Sequence, residues 1–294
     1  WAHKIEWDCI ILDEYHYGSW RDTAKELYEF EDKKEQIESM GAQIEDWNEE
    51  ISPLKTNHYL YLSGTPFRAI ASGEFIEEQI FNWTYSDEQK AKENWDKDQN
   101  PYESLPRMVM MTYQMPESIT QITDTGEFNE FDLNEFFKAD GKGEKAKFKY
   151  ENYVQQWLDL IRGTGFNNIY TNLRLGDNRP ILPFGDSRLL QLLNHTFWFL
   201  PSVASCHAMK NLIMKRSNSF YQSYEIIVCA GPDAGIGVKA LSPVRRKMSN
   251  PLESKTITLS CGKLTTGVTV KPWTGIFMLR NTSSPETYFQ TVFR

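Results

Sequence analysis

The sequence predicts an α/β protein with two parallel-sheet domains, and three observations carry that prediction. Short apolar runs recur along the chain, helical periodicity lies between several of them, and a charged, turn-rich stretch divides the runs into two groups. An apolar run without alternation reads as a strand covered on both faces, the mark of a parallel sheet. Ligands bind beyond the carboxyl ends of such strands. The residues that follow each run are therefore the first place to look for chemistry.

The first run, Cys9-Ile10-Ile11-Leu12, leads directly into Asp13-Glu14-Tyr15-His16. Adjacent carboxylates at a strand end suit a nucleotide site, because one can hold magnesium while the other orients or deprotonates a water that attacks a phosphoryl group. The same pair can also serve as a plain helix N-cap. Residues 21–50 are polar, with Leu27, Tyr28, Phe30, Ile37 and Met40 at loosely helical spacing, and read as one or two solvent-facing helices. A second strand, Tyr59-Leu60-Tyr61-Leu62, runs straight into Ser63-Gly64-Thr65-Pro66. Small hydroxyl residues at a strand end can hydrogen-bond a neighbouring segment. A simple Thr-Pro turn is the competing reading.

Residues 87–106 are charged and rich in turn residues, which places a domain linker at 96–106 between a first domain, 1–95, and a second, 107–294. The second series has candidate strands at 108–113, 196–200, 225–230, 256–260 and 275–279, with a helix over 203–214. Residues 116–186 break that rhythm. They hold an acidic-aromatic stretch, the turn Gly141-Lys142-Gly143 and an amphipathic helix over 150–161, and read as an insertion in the second domain. After strand 256–260 comes Gly262-Lys263-Leu264-Thr265-Thr266-Gly267. Here Gly267 would allow close backbone approach, Thr265 and Thr266 with nearby N–H groups suit phosphate oxygens, and Lys263 adds charge. A threonine-rich turn is the plain alternative.

The chain has 294 residues, 40% of them hydrophobic, enough for two sizeable cores. Its net charge of −8 argues against a protein that coats nucleic acid by bulk charge, and leaves room for a local basic groove. Cys9, Cys206, Cys229 and Cys261 are scattered without a CxxC pair, as expected of buried free thiols in a reducing, cytoplasmic setting. Cys206-His207 has no partner cluster and is not read as a metal site. No apolar stretch is long enough to span a bilayer.

Taken together, these strings resemble the motifs of superfamily two helicases and translocases. Asp13-Glu14-Tyr15-His16 resembles the DExH form of Walker B, Ser63-Gly64-Thr65-Pro66 motif III, Gly262 to Val270 motif V, and Pro285 to Arg294 the start of motif VI. Residues 196–201 occupy the place of motif IV. The run SGTPF after YLYL looks most like the ATPase (Res- or R-subunit-like) part of type III and type I restriction enzymes. The resemblance implies two RecA-like domains and a motor driven by ATP and Mg2+ on nucleic acid, with DNA expected, in a bacterial restriction or defence system.

Residue by residue, it implies that Asp13 binds magnesium, Glu14 activates water, and His16, Ser63 and Thr65 couple the sites. Lys263, Thr265 and Thr266 would meet the nucleic-acid backbone, while Gly267, Gln290 and Arg294 face nucleotide. Gln290 matches the motif VI glutamine and Arg294 its first arginine; Phe293 stands where many members carry glycine. The phosphate-binding loop GxxxxGK[ST] is absent and belongs upstream of the first strand. The chain thus reads as a fragment, its first domain incomplete at the N-terminus and its motif VI cut short, without ATP turnover of its own. Methyltransferase or nuclease subunits or domains are the partners implied for the parent protein. A non-catalytic helicase-like scaffold or nucleic-acid-binding module is the alternative, and a nuclease lacks a convincing PD…ExK match.

Overall fold

Apolar runs become parallel ladders. In the computed structural model, residues 5–13, 55–71, 73, 75–113, 115, 119, 131–164, 182–234, 238–265 and 268–293 are described. Strand β1 (Glu6–Leu12) pairs in parallel with β2 (Lys55–Tyr61), from Glu6 opposite Lys55 to Leu12 opposite Tyr61. The short helix α1 (Phe67–Ala71) follows.

Helix α2 (Tyr85–Glu93) lies partly inside the charged stretch 87–106, just ahead of the residues read as linker. Its start is a capping box: the Thr84 hydroxyl accepts from Asp87 N–H at 3.2 Å, and the Asp87 carboxylate accepts from Thr84 N–H at 3.0 Å. The high density of charge hides this signal, because a solvated helix and a polar linker have similar composition. The segment after it folds back on α2. Lys92 Nζ donates to Leu105 O at 2.7 Å, and the Tyr102 ring lies 6.1 Å from Trp83 and 5.8 Å from Trp95.

The stretch read as an insertion comes next: α3 (Leu133–Phe136), the antiparallel hairpin β3 (Ala139–Asp140) and β4 (Lys147–Phe148), and the expected amphipathic helix, α4 (Glu151–Ile161). Gly141 at the hairpin turn has φ +93°, and a Cβ there would fall 2.6 Å from Lys145 O, so only glycine fits. The remaining elements are α5 (Ser187–Leu192), β5 (His195–Phe199), α6 (Val203–Ile213), β6 (Glu225–Val228), α7 (Val238–Lys247), β7 (Thr256–Ser260), β8 (Gly275–Met278) and α8 (Pro285–Val292). The four strands form one sheet in the order β6-β7-β5-β8, every pairing parallel. The α/β class with parallel sheets is thus what the sequence predicts. Helix α7 is not legible there, because Pro243 inside it is a residue that ordinarily ends a helix.

Two expectations need correction. Residues 108–113 pair with no strand among the described residues, and Val109 and Met110 are 67% and 65% exposed. Three of those six residues are unbranched methionines, which lack the β-branched shape that favours a pleated surface. Strand β1 is parallel, as expected, yet it is not buried on both faces: Ile11 is 60% exposed, and Tyr59 and Leu60 beside it are about half exposed. Cys9 on β1 is correspondingly exposed, whereas Cys206 and Cys229 are buried; all four cysteines are free.

The core surrounds the four-stranded sheet. Along β5 successive side chains alternate faces. Trp198 packs among Trp157, Phe277 and Tyr221, with ring centroids 5.7, 5.2 and 6.4 Å away, in a layer built from α4 and α6. Phe197 and Phe199 face the opposite side, where Ala240, Leu241 and Val244 of α7 and Trp273 cover them. Local stability follows apolar burial. Hydrogen exchange followed by mass spectrometry should show β5 and β7 as the slowest segments and β1 with β2 exchanging well before them. Equal protection of the two sheets would contradict this picture of the core.

Candidate nucleotide and nucleic-acid site

The carboxyl ends of β1 and β2 leave the first sheet side by side. Leu62 N–H donates to Leu12 O at 2.9 Å, so Asp13 and Ser63 emerge as neighbours at one edge. Asp13 is exposed. Thr65 N–H donates to Ser63 Oγ at 3.1 Å, a local turn that swings Thr65 inward until it is only 4% exposed. Glu14 and His16 lie outside the described residues.

At the corresponding edge of the second sheet, β7 runs into a tightly held loop. Ser260 Oγ donates to Lys263 O at 2.5 Å and Thr265 Oγ1 to Gly262 O at 2.6 Å. These bonds hold Leu264 at φ +63°, a strained conformation for a branched side chain. Lys263 does not project freely as a cation awaiting phosphate: its ammonium donates to the carbonyl of Gly231, beyond the end of β6. The Thr265 hydroxyl is likewise turned into the loop, and the residue is 7% exposed. Both groups expected to meet a backbone therefore shape the loop first. Thr266 and Gly267 lie outside the described residues.

Helix α8 carries the string that resembles motif VI. Ser284 caps it, accepting from Thr287 N–H at 3.2 Å, with Pro285 at the first helical position. One turn from its end, Gln290 Nε2 donates to Thr65 Oγ1 across 3.4 Å, a long bond between residues 225 positions apart. Aromatic rings flank it on both sides. Phe289 lies 5.4 Å from Phe67 of α1, and Phe293 lies 5.8 Å from Tyr85 of α2. Two of the expected site residues, Thr65 and Gln290, are thereby brought together. Arg294 lies outside the described residues.

Sequence reasoning missed Arg280. It stands just past β8 at the same sheet edge, where its guanidinium lies 5.0 Å from the Phe199 ring centroid and donates through Nη1 to Cys261 O at 3.1 Å. A cation directly after an apolar strand was the available signal. The next residue, Asn281, ties this edge to the inserted element. Leu133 N–H donates to its Oδ1 at 3.3 Å, its own N–H donates to Asn134 Oδ1 at 3.1 Å, and Asn134 Nδ2 donates to its carbonyl at 3.4 Å.

Burial holds the Cys206 thiol well above its ordinary range and pushes Cys229 up to about 12, as suits inert thiols in a core. Among the described residues no group of three or more His, Cys, Asp and Glu side chains could hold a metal ion, and no helix is long and apolar enough to cross a membrane.

The chain is 26% identical, over 99% of its length, to a Mycoplasma pneumoniae (strain ATCC 29342 / M129 / Subtype 1) protein named "Putative type II restriction enzyme and methyltransferase RM.MpnORF110P C-terminus". It spans 43% of that relative's length. No protein-family model matches the chain, and no solved structure matches it.

Proposed function

We propose that the chain is part of an ATP-dependent DNA helicase or translocase motor of a bacterial restriction or defence protein, working in the cytoplasm. The observation that carries this reading is the hydrogen bond between Gln290 and Thr65, which joins the strings resembling motif VI and motif III across the edges of two separate parallel sheets. A nucleotide-driven motor needs such a joint, because hydrolysis at one edge must be felt at the other. The similarity to a relative whose name includes both restriction enzyme and methyltransferase supports the defence context and a parent with methyltransferase or nuclease parts.

In this reading residues 1–95 belong to the first RecA-like domain, 96–106 link the two, and 107–294 form the second. Asp13 would hold magnesium, and the cation would supply neutralisation of charge on the phosphates. Glu14 takes the proton of the attacking water, His16 relays the change to Ser63 and Thr65, and Gln290, Gly267 and Arg294 sense nucleotide from the second domain. Lys263, Thr265 and Thr266 meet the nucleic-acid backbone.

The full-length protein should hydrolyse ATP with magnesium, faster when DNA is added. Thr65→Ala and Gln290→Ala should each remove most of that stimulation, and the double variant should lose no more than either single one, because both break one joint. A steady-state ATPase assay with and without single-stranded DNA decides this. Absence of turnover in the wild type would favour a non-catalytic scaffold, and additive losses would dissociate the two residues.

A further inference from the structure

The inserted element, 131–164, carries a second electrostatic feature that the motor reading does not use. Between residues 138 and 149 stand five lysines, Lys138, Lys142, Lys145, Lys147 and Lys149, against two acids, Asp140 and Glu144, in a protein of net charge −8. All five are exposed, and they alternate with buried Ala139, Ala146 and Phe148, so the β3–β4 hairpin turns its apolar side to the core and its lysines to solvent. Glu135 occupies two of them, Lys138 at 3.1 Å and Lys149, which also lies over the Tyr150 ring. Among the described residues Lys142, Lys145 and Lys147 form no salt bridge; Asp140 stands opposite Lys147 in the ladder.

The hairpin is also held firmly. Asn211 of α6 donates from one amide to both Gly143 O and Ala146 O at 2.9 Å each, and Ser205 donates to Phe137 O at 2.6 Å. A rigid turn presents its charges at little ordering cost, whereas lysines on a loose loop would lose that advantage on binding. The Asn134–Asn281 tie makes the element continuous with the sheet edge that carries Arg280 and the β7 loop.

We infer that Lys142, Lys145 and Lys147 on the inserted hairpin bind the phosphate backbone of nucleic acid at a second place, outside the groove at the sheet edges. The partner is a polyanion because the patch is a cluster of point charges without the planar forks or aromatic platforms that read bases or peptide carboxylates. The hairpin therefore adds affinity and salt dependence and leaves sequence preference unchanged. Its role rests on the nucleic-acid side of the motor reading and is independent of ATP hydrolysis.

The test is a fluorescence-anisotropy titration of the full-length protein with labelled duplex DNA across a salt series. Replacing Lys142, Lys145 and Lys147 together by Glu should weaken binding by about tenfold or more and lower the slope of log affinity against log salt by roughly 2–3 units, about 0.9 for each phosphate no longer neutralised. The corresponding Arg triple variant should keep the wild-type slope. The Gln triple variant, which removes charge without adding any, should fall between the two, and it decides the matter if the Glu variant fails to fold. A control reversal of Lys239, Arg245 and Arg246 on α7, which covers the other face of the sheet, should change the slope far less. A slope equal to wild type in the Glu and Gln variants, or an equal change in the control, overturns the assignment. So does a hairpin whose lysines matter only for anionic phosphatidylserine vesicles or poly-glutamate. Loss of ATP turnover with the slope effect intact would sink the motor reading and leave the hairpin's role standing.

Discussion

Glu14→Gln in the full-length protein is expected to cut ATP turnover by about 10²–10⁴-fold while magnesium–ATP binding stays within a few-fold of wild type. The amide keeps the size and shape of the carboxylate and cannot accept the proton of an attacking water. Its neighbour supplies the contrast. Asp13 is exposed at the carboxyl end of β1, beside the Ser63–Thr65 turn, and Asp13→Asn should weaken magnesium-dependent nucleotide binding itself. The two single substitutions thus separate base from metal ligand, one acting on turnover and the other on binding. Single-turnover hydrolysis and fluorescent-nucleotide titration measure the two quantities separately. Unchanged turnover in Glu14→Gln would remove that residue from the mechanism.

Trp198→Ala is expected to be the most damaging single change to the fold, costing about 3–5 kcal/mol. Trp198 is fully buried in the central strand β5 and is ringed by Trp157, Phe184, Tyr221 and Phe277. Truncation opens a cavity that these large rigid rings cannot collapse to fill. It also takes the indole N–H away from the buried Thr196 hydroxyl, 3.0 Å distant. Trp198→Phe should recover part of the loss, since it restores ring volume without the N–H. Urea unfolding monitored by far-UV circular dichroism gives the number, and a cost under about 1 kcal/mol would show that the core is centred elsewhere.

What the sequence made legible follows a physical rule. The run 196–200 announces itself because a central parallel strand is covered on both faces, and it stands inside the four-stranded sheet as β5, between β7 and β8. The run 108–113 is also largely apolar and has no ladder among the described residues, since apolar content alone does not say whether a partner strand is available. Long-range partners are the least legible. Nothing local to Lys263 reveals that the Gly231 carbonyl will take its ammonium, because that carbonyl belongs to the end of a different strand. Arg280 escaped notice for the same reason: its meaning comes from Phe199 and Cys261, brought beside it only by strand order. The meeting of Gln290 with Thr65 is equally silent in the sequence, since 225 positions separate the two residues.

The amide clasp between Asn134 and Asn281 has a consequence for mechanics. Both residues are exposed, and each of the three hydrogen bonds there contributes at the low end of the usual range, about 0.5 kcal/mol. Together they amount to roughly 1.5 kcal/mol, so this clasp considered alone would stand open in about one molecule in ten. It therefore behaves as a latch between the lysine hairpin and the segment that enters α8. A load drawing α3 away from the segment that enters α8 would release it before disturbing the aromatic core, which makes the clasp a mechanical fuse.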